Sequence, residues 1–249
     1  MALPPDRPAA PPDHLAAQPG PDHSAQPEPG RAGQDPTAGP VGFDLDLTLI
    51  DSRSAILTAW SEVAAETGVE VGLKAVEGRL GVKLEDEIPF WFPATQAEAV
   101  AAAYRRHYVR LASSLTTALP GASQALDAVR DLGQTPVVIT AKHLVSVGPS
   151  LKAAGLTVAE VYAHVHGLEK GAVLTRLRAV AYVGDTPQDI AAGRSAGVQA
   201  VGVPTGSFTE AELLAAGADT VLSSLLEFPA WYADFRRGSG RSAPRPAGR

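Results

Sequence analysis

The sequence predicts an α/β fold: a doubly wound parallel sheet with helices on both faces and an all-helical subdomain inserted after the first strand. Three observations predict it. Short runs that are apolar at every position, such as Pro136 to Thr140 and Ala179 to Val183, read as strands buried on both faces, the habit of parallel sheets. Helical stretches separate these runs, and most stop at a glycine. The stretch from Ser52 to about Leu115 holds helical stripes and no convincing strand.

The elements follow in order. Val41-Gly42-Phe43 is the first strand and leads into Asp44. Ile56, Leu57, Trp60, Val63 and Ala64 then form one helical stripe, and Ala97 to Leu111 a second, longer helix. Leu119-Pro120-Gly121-Ala122 reopens the alternation. Helices are expected at 121–132, about 144–154, 169–178, 187–196 and 209–216, with strands at 136–140, 179–183, 198–203 and 220–222. His164 and His166 alternate on a possible further strand, with no acid or cysteine nearby to suggest a metal. Alternating βα units make a parallel sheet. An insert at its carboxyl edge tends to cover the ligand site.

Both ends differ from the middle. Residues 1–40 hold 11 of the 21 prolines and no apolar periodicity, so a disordered extension is expected. Residues 236–249 hold five arginines and no acid and read as a disordered basic tail. The body, 41–235, has 14 basic and 22 acidic residues, a net charge of −8. Such a body repels nucleic acid phosphates. No segment approaches the roughly 18–20 apolar residues of a membrane span. The first residues lack the apolar core of a secretory signal. The expectation is a cytoplasmic protein, monomer or homodimer, with a small-molecule partner. With no cysteine, disulfides, thiolate metal sites and a cysteine nucleophile are excluded. There is also no Gly-x-Ser-x-Gly elbow and no Walker lysine motif.

Four places carry possible chemistry. In Phe43-Asp44-Leu45-Asp46-Leu47-Thr48, two carboxylates two residues apart point to the same side of an extended chain, just past a strand. Acids this close do not both ionise cheaply, so the pair offers one ionised nucleophile and one proton donor. Gly184-Asp185-Thr186-Pro187-Gln188-Asp189 again sets an acid at the end of a strand, and carboxylate oxygens suit Mg²⁺. Asp189 also suits the first turn of the following helix. Thr140 ends the strand at 136–140, where a hydroxyl is also a common helix cap. Lys170, one of only five lysines, stands early in a helix.

Taken in chain order, Asp44/Asp46/Thr48, then Thr140, Lys170 and Gly184-Asp185/Asp189, the four places resemble the haloacid dehalogenase-like superfamily, over residues 41–235 and in its phosphoglycolate-phosphatase-like branch. Leu119-Pro120-Gly121-Ala122 and Arg194-Ser195-Ala196-Gly197-Val198 fit as well. The resemblance implies a Rossmann-like core (41–51 and 116–235) under a helical cap (52–115). It implies a Mg²⁺-dependent phosphatase acting on a small phosphate monoester. Asp44 would attack phosphorus, and Asp46 would act as acid and then base. The Asp44 carboxylate, the Asp46 carbonyl and Asp185 would hold the metal, with Asp189 in support. Thr140 and Lys170 would hold the phosphoryl oxygens, and Thr48 is assigned with them to substrate binding. Asp46 separates this chain from dehalogenases, which expel halide without a proton. A phosphotransferase or mutase, and a non-catalytic relative, stay open. A phosphonatase would use a cap lysine, for which Lys74 and Lys83 are present.

Leu47 departs from the family, which usually has glycine there; the turn is read as needing no positive φ. The interval from Lys170 to Asp185 is short for the family. In the cap, Glu77 to Lys83 resembles the loop that dips toward the site, so Arg79 or Lys83 would meet a second anionic group. Arg105, Arg106 and Arg110 are read as a solvated face.

Overall fold

The computed structural model describes residues 38–239. The expected N-terminal extension lies outside the described residues up to position 37. Strand β1 (Val41–Phe43) leads to β2 (Ile50–Asp51) through a tight loop. Helices α1 (Arg53–Thr67), α2 (Leu73–Glu77), α3 (Leu84–Glu87) and α4 (Ala97–Leu115) follow. Strand β3 (Thr117–Ala118) pairs antiparallel with β2, so the helical excursion leaves and returns through one two-stranded base. The remainder alternates: α5 (Ala122–Asp131), β4 (Pro136–Ile139), α6 (Leu144–Ala153), β5 (Glu160–Tyr162), α7 (Leu168–Leu177) and β6 (Ala181–Gly184). Then come α8 (Pro187–Ser195), β7 (Gln199–Gly202), α9 (Glu210–Ala215), β8 (Thr220–Val221) and α10 (Phe228–Ser239).

The main sheet has six parallel strands in the order β5-β4-β1-β6-β7-β8. Chain order reverses about β1, which puts a crevice at the carboxyl ends of β4, β1 and β6. Val41, Phe43, Val138, Ala181, Val183 and Val201 are buried in the core against α5 and α10. A separate apolar core lies within the helical insert, around Trp60, Val63, Val76, Ile88, Phe92 and Val100. Glu62 and Glu66 of α1 pair with Arg110, Arg106 and His107 of α4 along the outside of that insert.

Local chemistry explains the boundaries nearest the crevice. Thr186 and Asp189 form a reciprocal capping box at α8, with Pro187 as its first helical residue. Asp189 folds back over Gly184, and a Cβ on Gly184 would stand 2.3 Å from the Asp189 Cβ. Only glycine leaves room there.

Three expectations are corrected. Leu47 has φ 58°, so the loop after Asp46 does adopt the left-handed region that glycine occupies without penalty. The loop reverses within four residues, with the amides of Leu49 and Ile50 both donating to the Leu45 carbonyl, and Leu47 gains burial in exchange. The strand near His164 ends at Tyr162, since His164 has φ 61° and leaves the sheet. The basic tail does not begin at Arg236, because α10 continues to Ser239, with two arginines in the last turn where the helix dipole favours cations. Residues 240–249 lie outside the described residues.

Gly184→Ala is expected to destabilise the protein by about 1–3 kcal/mol through overpacking. A lowered urea midpoint at unchanged slope checks this.

Candidate active site

Three adjacent strands deliver the site. Asp44, Thr140 and Asp185 are the residues at or just past the ends of β1, β4 and β6, and the Asp44 amide donates to the Val183 carbonyl at 2.9 Å. Lys170 enters from the first turn of α7 and is 4% exposed. Its Nζ lies 2.8 Å from Asp44 Oδ1 and 2.7 Å from Asp189 Oδ1. The short helix α7 thus reaches the site, despite the brief interval to Asp185.

Asp44, Asp185 and Asp189 each offer a carboxylate oxygen, all within 4.8 Å of one another and all buried. Lys170 is the cation in hydrogen-bond contact with this triad among the described residues. Three carboxylates and one ammonium leave an excess of two negative charges when all are ionised. Burial is expensive for that excess. Burial raises the Asp44 carboxyl to about 7; Lys170 pulls against this, and Asp189 and Asp46 add to it. Burial, then Asp189 and Asp44, hold Asp185 well above the usual carboxylate range. Lys170 is held charged: burial disfavours its ammonium, but Asp189 and Asp44 outweigh burial. Hard oxygen ligands, close spacing and two surplus charges fit a divalent cation.

The members of the triad are not equally free. Asp189 accepts from Lys170, from the Thr186 amide and from the Thr186 hydroxyl, with the Tyr182 hydroxyl 3.2 Å from Oδ1. It is already saturated. Asp185 accepts from Thr48 Oγ1 at 3.1 Å. Its Oδ2 lies where a Cβ on Gly206 would come within 1.9 Å, so Gly206 leaves that oxygen space.

Asp46 stands apart from the triad. Its Oδ1 accepts from Lys142 Nζ at 2.8 Å and from the Ser52 hydroxyl. Lys142 also lies over the Tyr108 ring, 4.0 Å from its centre. Asp44, Asp46, Thr140 and Lys142 line one pocket beneath the helical insert, together with Trp60, Arg79 and Tyr104. Thr140 is buried, and its hydroxyl accepts from the Lys142 amide at 3.1 Å.

Several assignments change place. Thr48, expected to bind substrate, is outside the pocket lining, and its hydroxyl donates to Asp185 of the acidic cluster. Arg79 lines the pocket but is clamped by Glu87, at 2.6 and 2.8 Å, and lies over Phe90. Lys83 is outside the pocket lining and pairs with Glu169 at 2.9 Å, between insert and core. Arg106 and Arg110 are exposed ion-pair partners, whereas Arg105 turns into the pocket, with its Nε buried and unpartnered. His164 does have an acid nearby: Glu85 Oε2 is 3.3 Å away.

Lys142, Ser52 and Tyr182 are the site residues that sequence reasoning missed. A lysine two residues past Thr140 was a usable signal for Lys142. Nothing local marks Ser52 or Tyr182, because tertiary contacts give both their roles.

Comparisons with known proteins show the family and the fold. The family profile of haloacid dehalogenase-like hydrolases matches residues 41–197. The probable phosphatase IndB of Dickeya dadantii is 27% identical over 207 residues, covering 75% of this chain and 90% of that protein. The plasmid-borne phosphoglycolate phosphatase of Cupriavidus necator is 28% identical, covering 76% and 91%. A hydrolase from Pseudomonas syringae has a similar structure, with a TM-score of 0.68, 21% identity and coverage of 79% and 98%, a likeness of fold.

Lys170→Met is expected to cost roughly 3–5 kcal/mol of stability in metal-free protein near neutral pH, because it leaves buried carboxylates unpaired. Denaturant titration of the two proteins tests it.

Proposed function

The chain belongs to the haloacid dehalogenase-like hydrolases, and from that premise we propose that it is a cytoplasmic phosphatase cleaving small phosphate monoesters through an aspartyl-phosphate intermediate. The observation that carries this is the pair Asp44 and Asp46: both line one pocket, yet each has a different cationic partner, Lys170 and Lys142. Two carboxylates in unlike surroundings support two unlike roles.

Asp44 is the nucleophile. Lys170 opposes the burial that otherwise favours the acid form of Asp44. The Asp44 oxygen forms a bond to phosphorus as the ester oxygen leaves, and Asp46 gives that oxygen its proton. Asp46 then takes a proton from the water that cleaves the aspartyl phosphate. Lys142 and Ser52 hold the Asp46 carboxyl in place for both transfers. Thr140 and Lys170 meet the phosphoryl oxygens. A Mg²⁺ ion would be held by the Asp44 carboxylate, the Asp46 carbonyl and Asp185, with Asp189 fixing Lys170 beside it. When bound, that ion supplies charge neutralisation between the Asp44 carboxylate and the anionic phosphate. Residues 52–115 act as the cap, which shields the reaction from bulk water. Among the described residues no helix is long and apolar enough to cross a membrane.

Two outcomes are expected. Asp44→Asn abolishes release of inorganic phosphate, whereas Asp46→Asn lowers steady-state kcat about 10²–10⁴-fold on all esters, because the common aspartyl phosphate loses its base, while first-turnover release of 4-nitrophenol, a leaving group that needs no proton, falls much less than that of an alkyl alcohol. Release that survives Asp44→Asn refutes the nucleophile. Separately, millimolar Mg²⁺ raises the thermal midpoint by mass action, and Asp185→Ala removes that rise. A midpoint indifferent to Mg²⁺ in the parent protein refutes the metal site.

A further inference from the structure

We propose that the pocket above Asp44 selects phosphate monoesters whose alcohol part is apolar or aromatic and carries no second negative charge. This rests on the phosphatase reading and names the substrate class of the same site.

The charge pattern supports it first. Three side-chain cations of lysine and arginine line the pocket, and each already holds a carboxylate. Arg79 is bidentate with Glu87 at 2.6 and 2.8 Å. Arg105 pairs with Glu85, and Lys142 pairs with Asp46 at 2.8 Å. The four partner and nucleophile carboxylates, Asp44, Asp46, Glu85 and Glu87, all line the same pocket. An added carboxylate or phosphate on the substrate would meet no unpaired lysine or arginine in this lining, whose carboxylates outnumber those cations by one. Lys83, the remaining basic residue of the dipping loop, is paired with Glu169 and lies outside the lining.

The wall supports it second. Helix α1 contributes Ile56 and Trp60, helix α4 contributes Tyr104 and Tyr108, and the loop contributes Leu80 and Val82. Trp60 and Tyr104 pack with ring centres 5.1 Å apart, which fixes both rings. A rigid apolar wall gains from an apolar or flat group and little from a small hydrated one. Glu87 is itself fixed, since Trp91 Nε1 donates to it at 2.8 Å, so Arg79 is not free to swing onto a ligand. Among the described residues, one buried side-chain donor of this lining has no partner: Arg105 Nε. It suits a neutral acceptor on the alcohol part, such as a hydroxyl or carbonyl oxygen.

The test isolates one property at a time. Calorimetry with the full chain and Mg²⁺ would compare benzylphosphonate, 4-carboxybenzylphosphonate and ethylphosphonate, which bind without being hydrolysed. Benzylphosphonate is expected to bind at least about tenfold more tightly than either of the others. Glu87→Gln, which frees Arg79 but keeps an acceptor for Trp91, is expected to narrow the gap between the benzyl and carboxybenzyl ligands by about tenfold. A parent protein that binds the carboxybenzyl ligand as well or better, that does not prefer benzyl to ethyl, or that binds none of them overturns the assignment. So does a gap unmoved by Glu87→Gln in a variant whose circular dichroism matches the parent. Phosphate release from benzyl phosphate is scored separately. Its absence alongside selective phosphonate binding overturns the phosphatase reading and leaves the pocket's selectivity standing.

Discussion

Everything in this protein is arranged around one electrostatic burden: three carboxylates and one ammonium buried at the end of a parallel sheet. Asp44, Asp185 and Asp189 come from two strand ends and one helix start, and Lys170 comes from a second helix. None of these groups is cheap to bury alone. Together, Lys170 bridges Asp44 and Asp189 within hydrogen-bond distance, and the capping box at α8 occupies what is left of Asp189. The surplus of negative charge that remains suits a divalent cation.

The fold meets that burden through strand order. Because β1 sits between β4 and β6, the three strand ends present Asp44, Thr140 and Asp185 side by side, although the sequence separates them widely. The same register brings Tyr182 under Asp189, with its hydroxyl 3.0 Å from the Ile139 carbonyl. Small residues are placed where the side chains crowd. Gly184 admits the Asp189 side chain, and the glycine at 206 admits the Asp185 oxygen. The left-handed Leu47 belongs to the same economy of space. It lets the chain turn sharply after Asp46, so that Thr48 can reach back to Asp185.

The helical insert adds a second layer with its own core, joined to the sheet through the β2–β3 base. Helix α4 packs on α6 of the core, and polar groups join the two layers as well. Lys83 meets Glu169, Glu85 meets His164, and the Tyr108 hydroxyl meets Ser150 at 3.0 Å. The pocket between them has an apolar wall, and its cations are already matched by acids. In this reading chemistry belongs to the strand ends, and discrimination belongs to the insert.

The sequence by itself determined the alternating α/β plan, the helical insert, and the residues at the ends of the strands. Those properties follow from local periodicity and from acids placed just beyond apolar runs, which need no knowledge of distant partners. It did not determine the short strands β2, β3 and β5, whose two or three residues depend on a neighbour for their form. Nor did it fix which ion pairs form. Whether Arg79 is free or clamped depends on Glu87 one helix away, and whether Arg105 faces solvent or the pocket depends on how α4 lies against α1. Thr48, Lys142, Ser52 and Tyr182 acquire their partners only when separate segments meet. Ion pairing and hydrogen bonding act over a few ångströms in space, so tertiary structure alone decides them.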